Sequence, residues 1–232
     1  MNRKTDALED LRRRILSLDI EPGSGLDEAG LSEAYGLSRT PMREILQRLA
    51  GEGYLTIEAN RGAKVASMDL RTMRTFFQTA PMVYASTGRL AAENRTARQL
   101  DDLKDVQRQF AKSIRAGDPG ESVLLNFRFH HVIGEMADNP YLMAALSRLL
   151  IDHSRLSQTF YRPSTRDDET RVAKAIDQHD AMIAAIEARE PAVVTDLTLQ
   201  HWDLSRDRLE QFVRPDPLPH DIISRKDRRN AV

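Results

Sequence analysis

Residues 36–53 of the chain have the sequence GLSRTPMREILQRLAGEG, which predicts a helix that begins near Ser38. Serine is a favourable N-cap, and Pro41 suits the first helical turn because its missing amide hydrogen is not needed there. Apolar residues recur at helical spacing from Ile45 to Leu49. We therefore expect a helix that packs one face on a core and offers the other face to a partner.

A shorter amphipathic segment, LDEAGLSEAY over residues 26–35, precedes this helix, and Gly36 separates the two. Glycine readily adopts the positive φ of a sharp turn between helices. Two helices joined by such a turn are typical of a helix-turn-helix, whose second helix enters the DNA major groove. We expect Arg39, Arg43 and Arg48 on the exposed face of that helix, where their guanidinium groups can pair with guanine edges or phosphates.

Two short strands are expected after this motif. The segments YLTI at 54–57 and AKVA at 63–66 are strand-like and are separated by a polar turn, which predicts a β-wing. From residue 68 onward the apolar period is helical, with breaks where Gly, Pro and Asn cluster. The helices predicted outside the helix-turn-helix cover residues 5–18, 69–95 with an interruption or bend at Pro81, 97–115, 119–137, 139–161, 167–188 and 191–213.

These patterns predict a mainly α protein. Residues 1–66 form a winged helix-turn-helix with a small β-wing, and residues 67–70 form a linker. Residues 71–213 form an all-α helical bundle. The segment 214–232 contains three prolines and scattered charges, which predicts a flexible tail.

Composition narrows the class of protein. With 232 residues the chain can bury two modest cores, and the absence of cysteine excludes a disulfide scaffold. A formal net charge of −1 argues against indiscriminate coating of nucleic acid. Residues 1–66 contain ten Lys and Arg and eleven Asp and Glu, so DNA contact depends on where the cations lie. We find no signal peptide or membrane-spanning run, and we expect a cytoplasmic protein with no membrane partner.

Residues spaced along the chain carry a family resemblance. They comprise Pro22, Gly23, Leu26, Glu28, Leu31, the run 36–44, Leu49, the run 53–55 and the run 61–65, and, in the helical part, the runs 126–130 and 138–142 with Ile133, His179 and His201. On these residues the chain resembles the GntR family of bacterial transcription regulators. The helical part is similar to the effector domain of the FadR-type subfamily.

The resemblance implies a regulator that binds a palindromic double-stranded DNA operator as a homodimer. It also implies that the helical domain forms the dimer and binds a small metabolite, for which we expect an organic acid. Effector binding would change the spacing of the two DNA-binding domains. The residues expected to contact DNA are Ser38, Arg39, Thr40, Pro41, Arg43, Arg48, Arg61, Gly62 and Lys64.

A candidate metal site comes from Asn126, His130, His179 and His201. Asn126 and His130 are four residues apart and share one helical face, and the two later histidines lie in helices that a bundle can bring to the same cavity. In the resembling family, an acidic residue and three histidines bind a divalent transition metal such as Zn, Ni or Mn. Asn126 replaces the acid, which predicts weakened metal binding or a metal-free site in which imidazoles hold the effector. His153 could also reach this cavity.

The first bundle helix departs from the resembling family. Where the family has an arginine followed four residues later by a glutamate, this chain has Ala80 and Tyr84. The arginine that could hold an effector carboxylate is therefore absent. Arg155 is the substitute that we assign to effector binding, and the ligand can differ from a simple carboxylate.

Three alternatives stay open at this point. The histidines can be ordinary buried polar residues, since isolated histidines in helices usually are. They can form the active site of a metal-dependent enzyme, although Asn126 cannot act as a general base. The protein can also be an architectural DNA-binding protein that senses no ligand, for which a histidine cavity would have no use. We expect a regulator and not an enzyme.

Overall fold

Helices account for most of the chain. The computed structural model describes residues 3–58 and 62–213, and the side chains within these ranges except those of 205 and 207–213. The first part contains α1 (Arg3–Leu16), β1 (Gly25–Leu26), α2 (Glu28–Tyr35), α3 (Arg39–Glu52), β2 (Leu55–Glu58) and β3 (Gly62–Val65). The second part contains α4 (Leu70–Asn94), α5 (Ala97–Ala116), α6 (Pro119–Met136), α7 (Pro140–Phe160), α8 (Arg166–Glu187) and α9 (Pro191–Val213). The predicted fold class, a winged helix-turn-helix followed by a helical bundle, is confirmed.

The helix-turn-helix is fixed by caps on both sides of its turn. The Asp27 carboxylate accepts hydrogen bonds from the amides of Ala29 and Gly30, which begins α2. Gly36 ends α2 in the left-handed region, with φ 61°, and its amide donates to carbonyl groups of the last turn. Ser38 occupies the N-cap position of α3, but its side chain makes no capping hydrogen bond.

The wing is a three-stranded antiparallel sheet in the order β1-β3-β2. The sequence analysis predicted only two strands. It missed β1, which has two residues and is too short to show an alternating pattern. Because β1 lies directly before α2, its pairing with β3 attaches the wing to the start of the helix-turn-helix.

The helical bundle begins at α4, whose N-cap is Asp69. The sequence predicted an interruption or a bend at Pro81, and the interruption does not occur, because α4 continues through this residue. A proline inside a helix removes one backbone hydrogen bond, and the packing of α4 against α6, α7 and α9 offsets that loss. The next four helices, α5 to α8, begin at side-chain caps from Thr96, Asp118, Asn139 and Thr165.

The core of the winged part extends into the bundle. Ile151 of α7 belongs to the same buried apolar cluster as Leu11, Ile45 and Leu49 of the winged part. Leu124 and Phe127 of α6 pack against this cluster in half-buried positions. The two parts therefore share an apolar contact in this structure. None of the helices in the described ranges is both long and apolar enough to span a membrane.

Candidate DNA-contacting surface and histidine cluster

The side chains expected to read DNA lie on the solvent face of α3. Arg39, Thr40, Arg43 and Arg48 are all exposed. Arg43 is held by Glu28 of α2: its Nη2 donates to Oε1 at 3.0 Å and its Nε donates to Oε2 at 3.3 Å. This pair is exposed to solvent, so DNA can replace the carboxylate at modest cost.

Other predicted DNA contacts surround this face. Ser38 is exposed, and its hydroxyl is not used as a cap, so it can donate to a phosphate. Pro41 is half-buried in the first turn of α3. On the wing, Gly62 and Lys64 of β3 are exposed, whereas Arg61 lies outside the described residues.

The structure brings together three histidines that the sequence singled out. His130 of α6, His179 of α8 and His201 of α9 are buried, and each offers a ring nitrogen within 4.8 Å of the other two. The ring of Phe129 stacks on His179 with centroids 3.8 Å apart and an interplanar angle of 7°, which fixes the orientation of that imidazole. Three helices therefore converge on one buried group of nitrogen ligands.

Hydrogen bonds to Gln107 determine the tautomer of His179. Gln107 Nε2 donates to the Ile176 carbonyl at 3.1 Å and to the Asp180 carboxylate at 2.9 Å. Both of those partners are acceptors, so the amide oxygen of Gln107 must be the atom that faces His179 Nδ1, at 3.1 Å. His179 Nδ1 consequently carries the hydrogen, and Nε2 has a free lone pair.

His201 repeats this arrangement. Its Nδ1 lies 3.0 Å from the side-chain oxygen of Gln178, and a hydrogen bond from Nδ1 to that oxygen would leave Nε2 unprotonated. The two Nε2 atoms of His179 and His201 face each other at 3.3 Å. Ligands bound 2.0–2.1 Å from a tetrahedral zinc ion are separated by about 3.3–3.4 Å. Two unprotonated nitrogens at this distance repel each other unless a cation or a proton lies between them, and a divalent metal fits this donor set.

Two further polar atoms, one on His130 and one on the preceding turn of α6, have no hydrogen-bond partner within the described part of the chain. They are Asn126 Oδ1 and His130 Nε2, and both are buried. A buried polar atom without a partner is costly, so such atoms usually face a ligand, an ion or a water molecule. Asn126 is one helical turn before His130 on α6, which makes its amide oxygen a fourth candidate ligand.

Burial keeps the histidines neutral. The loss of hydration lowers the pKa of His130 and His179 well below the ordinary histidine value, and neighbouring histidines lower it further. The same cause lowers the pKa of His201 to about 3 and that of His153 to about 4. Neutral imidazole is the form that binds metal ions, so burial prepares these rings as ligands.

His153 and Tyr84 complete the wall of the cluster. The Tyr84 hydroxyl lies 2.8 Å from His153 Nδ1, and the ring of His153 lies 5.6 Å from that of His130. His153 therefore does reach the cluster. Sequence analysis named Tyr84 only as a departure from the resembling family, and it missed Gln107 and Gln178 because an isolated glutamine has no recognisable spacing.

Arg155, the residue assigned to effector binding, is committed to other partners. Its side chain is buried, its Nη1 donates to the carbonyl oxygen of Ala66 at 2.7 Å, and its Nη2 pairs with Asp152. Ala66 follows the last strand of the wing. The contacts of Arg155 therefore connect α7 with the segment that joins the two parts of the chain, and its role in effector binding stays a prediction.

Little space is left beside the cluster. The cavity that borders His130 is lined by Tyr84, Thr87, His130, Ile133, Leu146, Met182 and Thr198, and leaves a volume of about 10 Å³ for the centre of a water molecule. A site needs roughly 10–15 Å³ by this measure to hold one water molecule. A much larger cleft of about 740 Å³ lies between the winged part and the bundle.

Comparison with protein families divides the chain in the same way. Residues 4–65 match the family described as bacterial regulatory proteins, gntR family. Residues 84–204 match the family described as FCD domain. The second match covers more than half of the chain.

Individual proteins of known name and solved structures agree with these matches. The chain is 24% identical over 206 residues to the gluconate operon transcriptional repressor of Bacillus subtilis, a match that covers 88% of this chain and 83% of that protein. It is 29% identical over 130 residues to the Nta operon transcriptional regulator of Aminobacter aminovorans, covering 55% and 60% of the two chains. The structure of E. coli McbR/YncC is similar in fold, with a TM-score of 0.77 at 19% identity, and the match covers 92% of this chain and 100% of that one.

Proposed function

The chain belongs to the GntR family of bacterial transcription regulators and carries an FCD domain, and from that premise we propose a dimer that binds a palindromic operator under the control of a ligand at the histidine cluster. It is a DNA-binding transcription regulator and not an enzyme. The observation that carries the proposal is the pair of Nε2 atoms of His179 and His201, which face each other at 3.3 Å in a buried site.

We propose that Asn126, His130, His179 and His201 hold a divalent transition metal, with zinc, nickel and manganese as candidates. Gln107 and Gln178 orient two of the imidazoles, which is the usual task of residues behind metal ligands. A bound ion would supply a positive charge that offsets the mutual repulsion of the ring nitrogens. Because the ligands come from α6, α8 and α9, loading the cluster would join three helices of the bundle.

For DNA we propose a division of tasks on one surface. Arg39 and Arg43 read base edges in the major groove, since they lie at the start of α3 and are exposed. The remaining predicted contacts position the protein on phosphates or in the minor groove; they are Ser38, Thr40, Pro41, Arg48, Arg61, Gly62 and Lys64. A symmetric operator requires a symmetric pair of such surfaces, which favours a dimer.

The first experiment identifies the operator by selecting fragments of bacterial genomic DNA with the purified full-length protein. We expect one recurrent palindromic sequence that binds at least about a thousandfold more tightly than random DNA. Sedimentation of the full-length protein should give a dimer at micromolar concentration. Selection of no preferred sequence, or a monomer that binds the operator, would contradict this part of the proposal.

The second experiment tests the cluster. His179→Ala should remove metal binding and the metal-dependent change in operator affinity, while the affinity of metal-free protein for the operator stays within about twofold, because the DNA-contacting surface lies in another part of the chain. His131→Ala is the control, since His131 is half-buried beside Arg128 and Glu135 and lies outside the cluster. If His179→Ala lowers only the melting temperature and leaves metal content unchanged, the histidines are ordinary core residues.

A further inference from the structure

Tyr84 occupies the space beside the histidine cluster. It is a buried residue of α4, and its ring lies edge-on to His130, with centroids 5.2 Å apart. The ring also packs against His153 and Trp202, at centroid distances of 5.5 Å and 5.8 Å. Contacts on three sides, together with the hydrogen bond between its hydroxyl and His153 Nδ1, hold the ring in this position.

The lining of the adjacent cavity offers nothing that would hold an organic anion. It contains no lysine or arginine, and its hydroxyl groups are already occupied. Thr87 donates to the Val83 carbonyl at 2.7 Å, and Thr198 donates to the Val194 carbonyl at 2.7 Å. An organic anion in this cavity would have the metal ion as its sole counter-charge and no hydrogen-bond donor from the lining, and burying a carboxylate with so few partners is unfavourable. Ala80, one turn before Tyr84 on α4, is fully buried and contributes no charge.

The size of the cavity is a second, independent reason why an organic acid does not fit beside the cluster. About 10 Å³ for the centre of a water molecule is room for one water molecule at most. Acetate, the smallest common organic acid with a carbon chain, has four heavy atoms. It can enter only if the aromatic ring of Tyr84 leaves its place. A metal ion needs less space than an organic acid, and the ring nitrogens of His179 and His201 already face each other.

We propose that Tyr84 closes the histidine cluster to organic ligands, so that the divalent metal ion is itself the regulatory signal. This inference rests on the proposed metal site and narrows the ligand class from a small organic acid to an inorganic cation. Tyr84 is then the residue that sets ligand specificity. Its own contact with His153 links α4 to α7, so the closed cluster includes side chains from all of α4, α6, α7, α8 and α9.

The test uses Co²⁺ as the probe, because its visible absorption reports changes in its ligands. Chelator-treated full-length protein is loaded with Co²⁺ and titrated with acetate and then with succinate. In the unmodified protein and in Tyr84→Phe, which keeps the ring, we expect both acids to leave the spectrum unchanged. In Tyr84→Ala, which removes the ring, acetate should shift the spectrum. Tyr84→Leu serves the same purpose with less loss of packing if Tyr84→Ala does not fold.

Operator affinity supplies the second measurement. Zn²⁺ alone should change the affinity of unmodified protein for its selected operator by about tenfold or more, and acetate or succinate should add no further change. A spectral shift or an affinity change caused by either acid in the unmodified Co²⁺- or Zn²⁺-loaded protein would overturn the inference and leave the proposed metal site standing. An unchanged spectrum in both ring-deleted variants would overturn the role of Tyr84. Failure of the unmodified protein to bind Co²⁺ would overturn the metal site itself.

Discussion

Arg155 and Ala66 are joined by a hydrogen bond of 2.7 Å from the guanidinium Nη1 to the backbone carbonyl oxygen. This bond connects α7 of the bundle with the end of the wing. Two further contacts of α7 reach the winged part: Gln158 Nε2 donates to the Leu16 carbonyl at 3.0 Å, and the side chain of Arg148 lies against Gly53. One helix therefore holds the end of α1, the end of α3 and the segment before α4.

Arg155→Met should lower the free energy of unfolding by about 3 kcal/mol, because it removes one partner of a buried ion pair and leaves the Asp152 carboxylate with Arg148 alone. Chemical denaturation measures this change. Arg89→Met is the matched control, since the Arg89 side chain is 66% exposed and its contact with Glu93 should contribute less than about 1 kcal/mol. Equal losses in the two variants would contradict a structural role for the buried pair.

Gly53→Ala should destabilise the protein for two separable reasons. Gly53 has φ 91°, and an added Cβ would lie 2.5 Å from Arg148 Cδ. Gly117→Ala measures the cost of the positive φ alone, because Gly117 has φ 67° and open space around it. We expect it to lower the free energy of unfolding by about 1–2 kcal/mol, and Gly53→Ala to lower it by more. Gly51→Ala, in a helical position with open space, should stabilise the protein by roughly 0.5–1 kcal/mol.

To isolate the contact between Gly53 and Arg148, Gly53→Ala is also made in a protein that carries Arg148→Ala. Removing the Arg148 side chain should reduce the cost of Gly53→Ala to that of Gly117→Ala. If Gly53→Ala costs as much stability without the Arg148 side chain as with it, the steric contact with Arg148 does not contribute to the loss, and the backbone conformation of Gly53 accounts for all of it.

Arg43→Ala should reduce preference for the operator over random DNA by about 1–3 kcal/mol, the usual contribution of a bidentate arginine–guanine pair. Arg48→Ala should weaken binding to both DNAs by the same factor, since a phosphate contact carries no base information. Binding to the two DNAs is measured at several salt concentrations. If Arg43→Ala weakens both equally, Arg43 is a phosphate contact.

Asn126→Asp should raise metal affinity by about tenfold or more, because it restores a charged oxygen ligand at a buried position. The metal-free variant should be less stable than the unmodified protein, since the new carboxylate would be buried without a partner. Melting temperature with and without Zn²⁺ measures both effects, and the Zn²⁺-induced increase should be larger in the variant. An equal increase in both proteins would show that residue 126 is not a ligand.

The metal-free protein should lose stability as the pH falls below 6.5. Unfolded His153 has the ordinary pKa of 6.5, and burial lowers the pKa to about 4 in the folded protein. Between these values the unfolded state binds more protons, so the free energy of unfolding decreases with decreasing pH, by about 3 kcal/mol at most for this residue. The other buried histidines add to the loss with the same sign. His153→Gln should flatten the dependence, and an identical dependence in both proteins would contradict the burial of neutral His153.

Local patterns predicted the helices well and the contacts between them poorly. The turn at Gly36 and the breaks between the bundle helices could be predicted because each depends on residues only a few positions apart. The assignment of Arg155 to effector binding could not be checked in that way, because its partner Ala66 is 89 residues earlier in the chain. Such long-range pairs have no spacing that a single sequence reveals.

The residues of the histidine cluster could be predicted from the sequence only in part. His130, His179 and His201 were singled out because a family resemblance supplied what their wide separation concealed. The position of the Tyr84 ring beside the cluster depends on how α4 packs against α6 and α7. The role of Gln107 in orienting His179 depends on contacts with Ile176 and Asp180 of another helix. If Tyr84 closes the cluster as proposed, the class of ligand depends on the tertiary packing around the metal-binding side chains as well as on those side chains.

The polar contacts of α7 with the winged part have a consequence for divergence and for protein engineering. Arg155 and Gln158 both bind backbone carbonyl oxygens, and Arg148 lies against a glycine. None of these three contacts uses a side chain of the DNA-reading face of α3. If Arg39 and Arg43 read the operator as proposed, substitutions there can change the preferred DNA sequence while the contacts between the winged part and the bundle are preserved. The bundle and whatever ligand it binds could then be combined with a new DNA sequence by changes confined to one helical face.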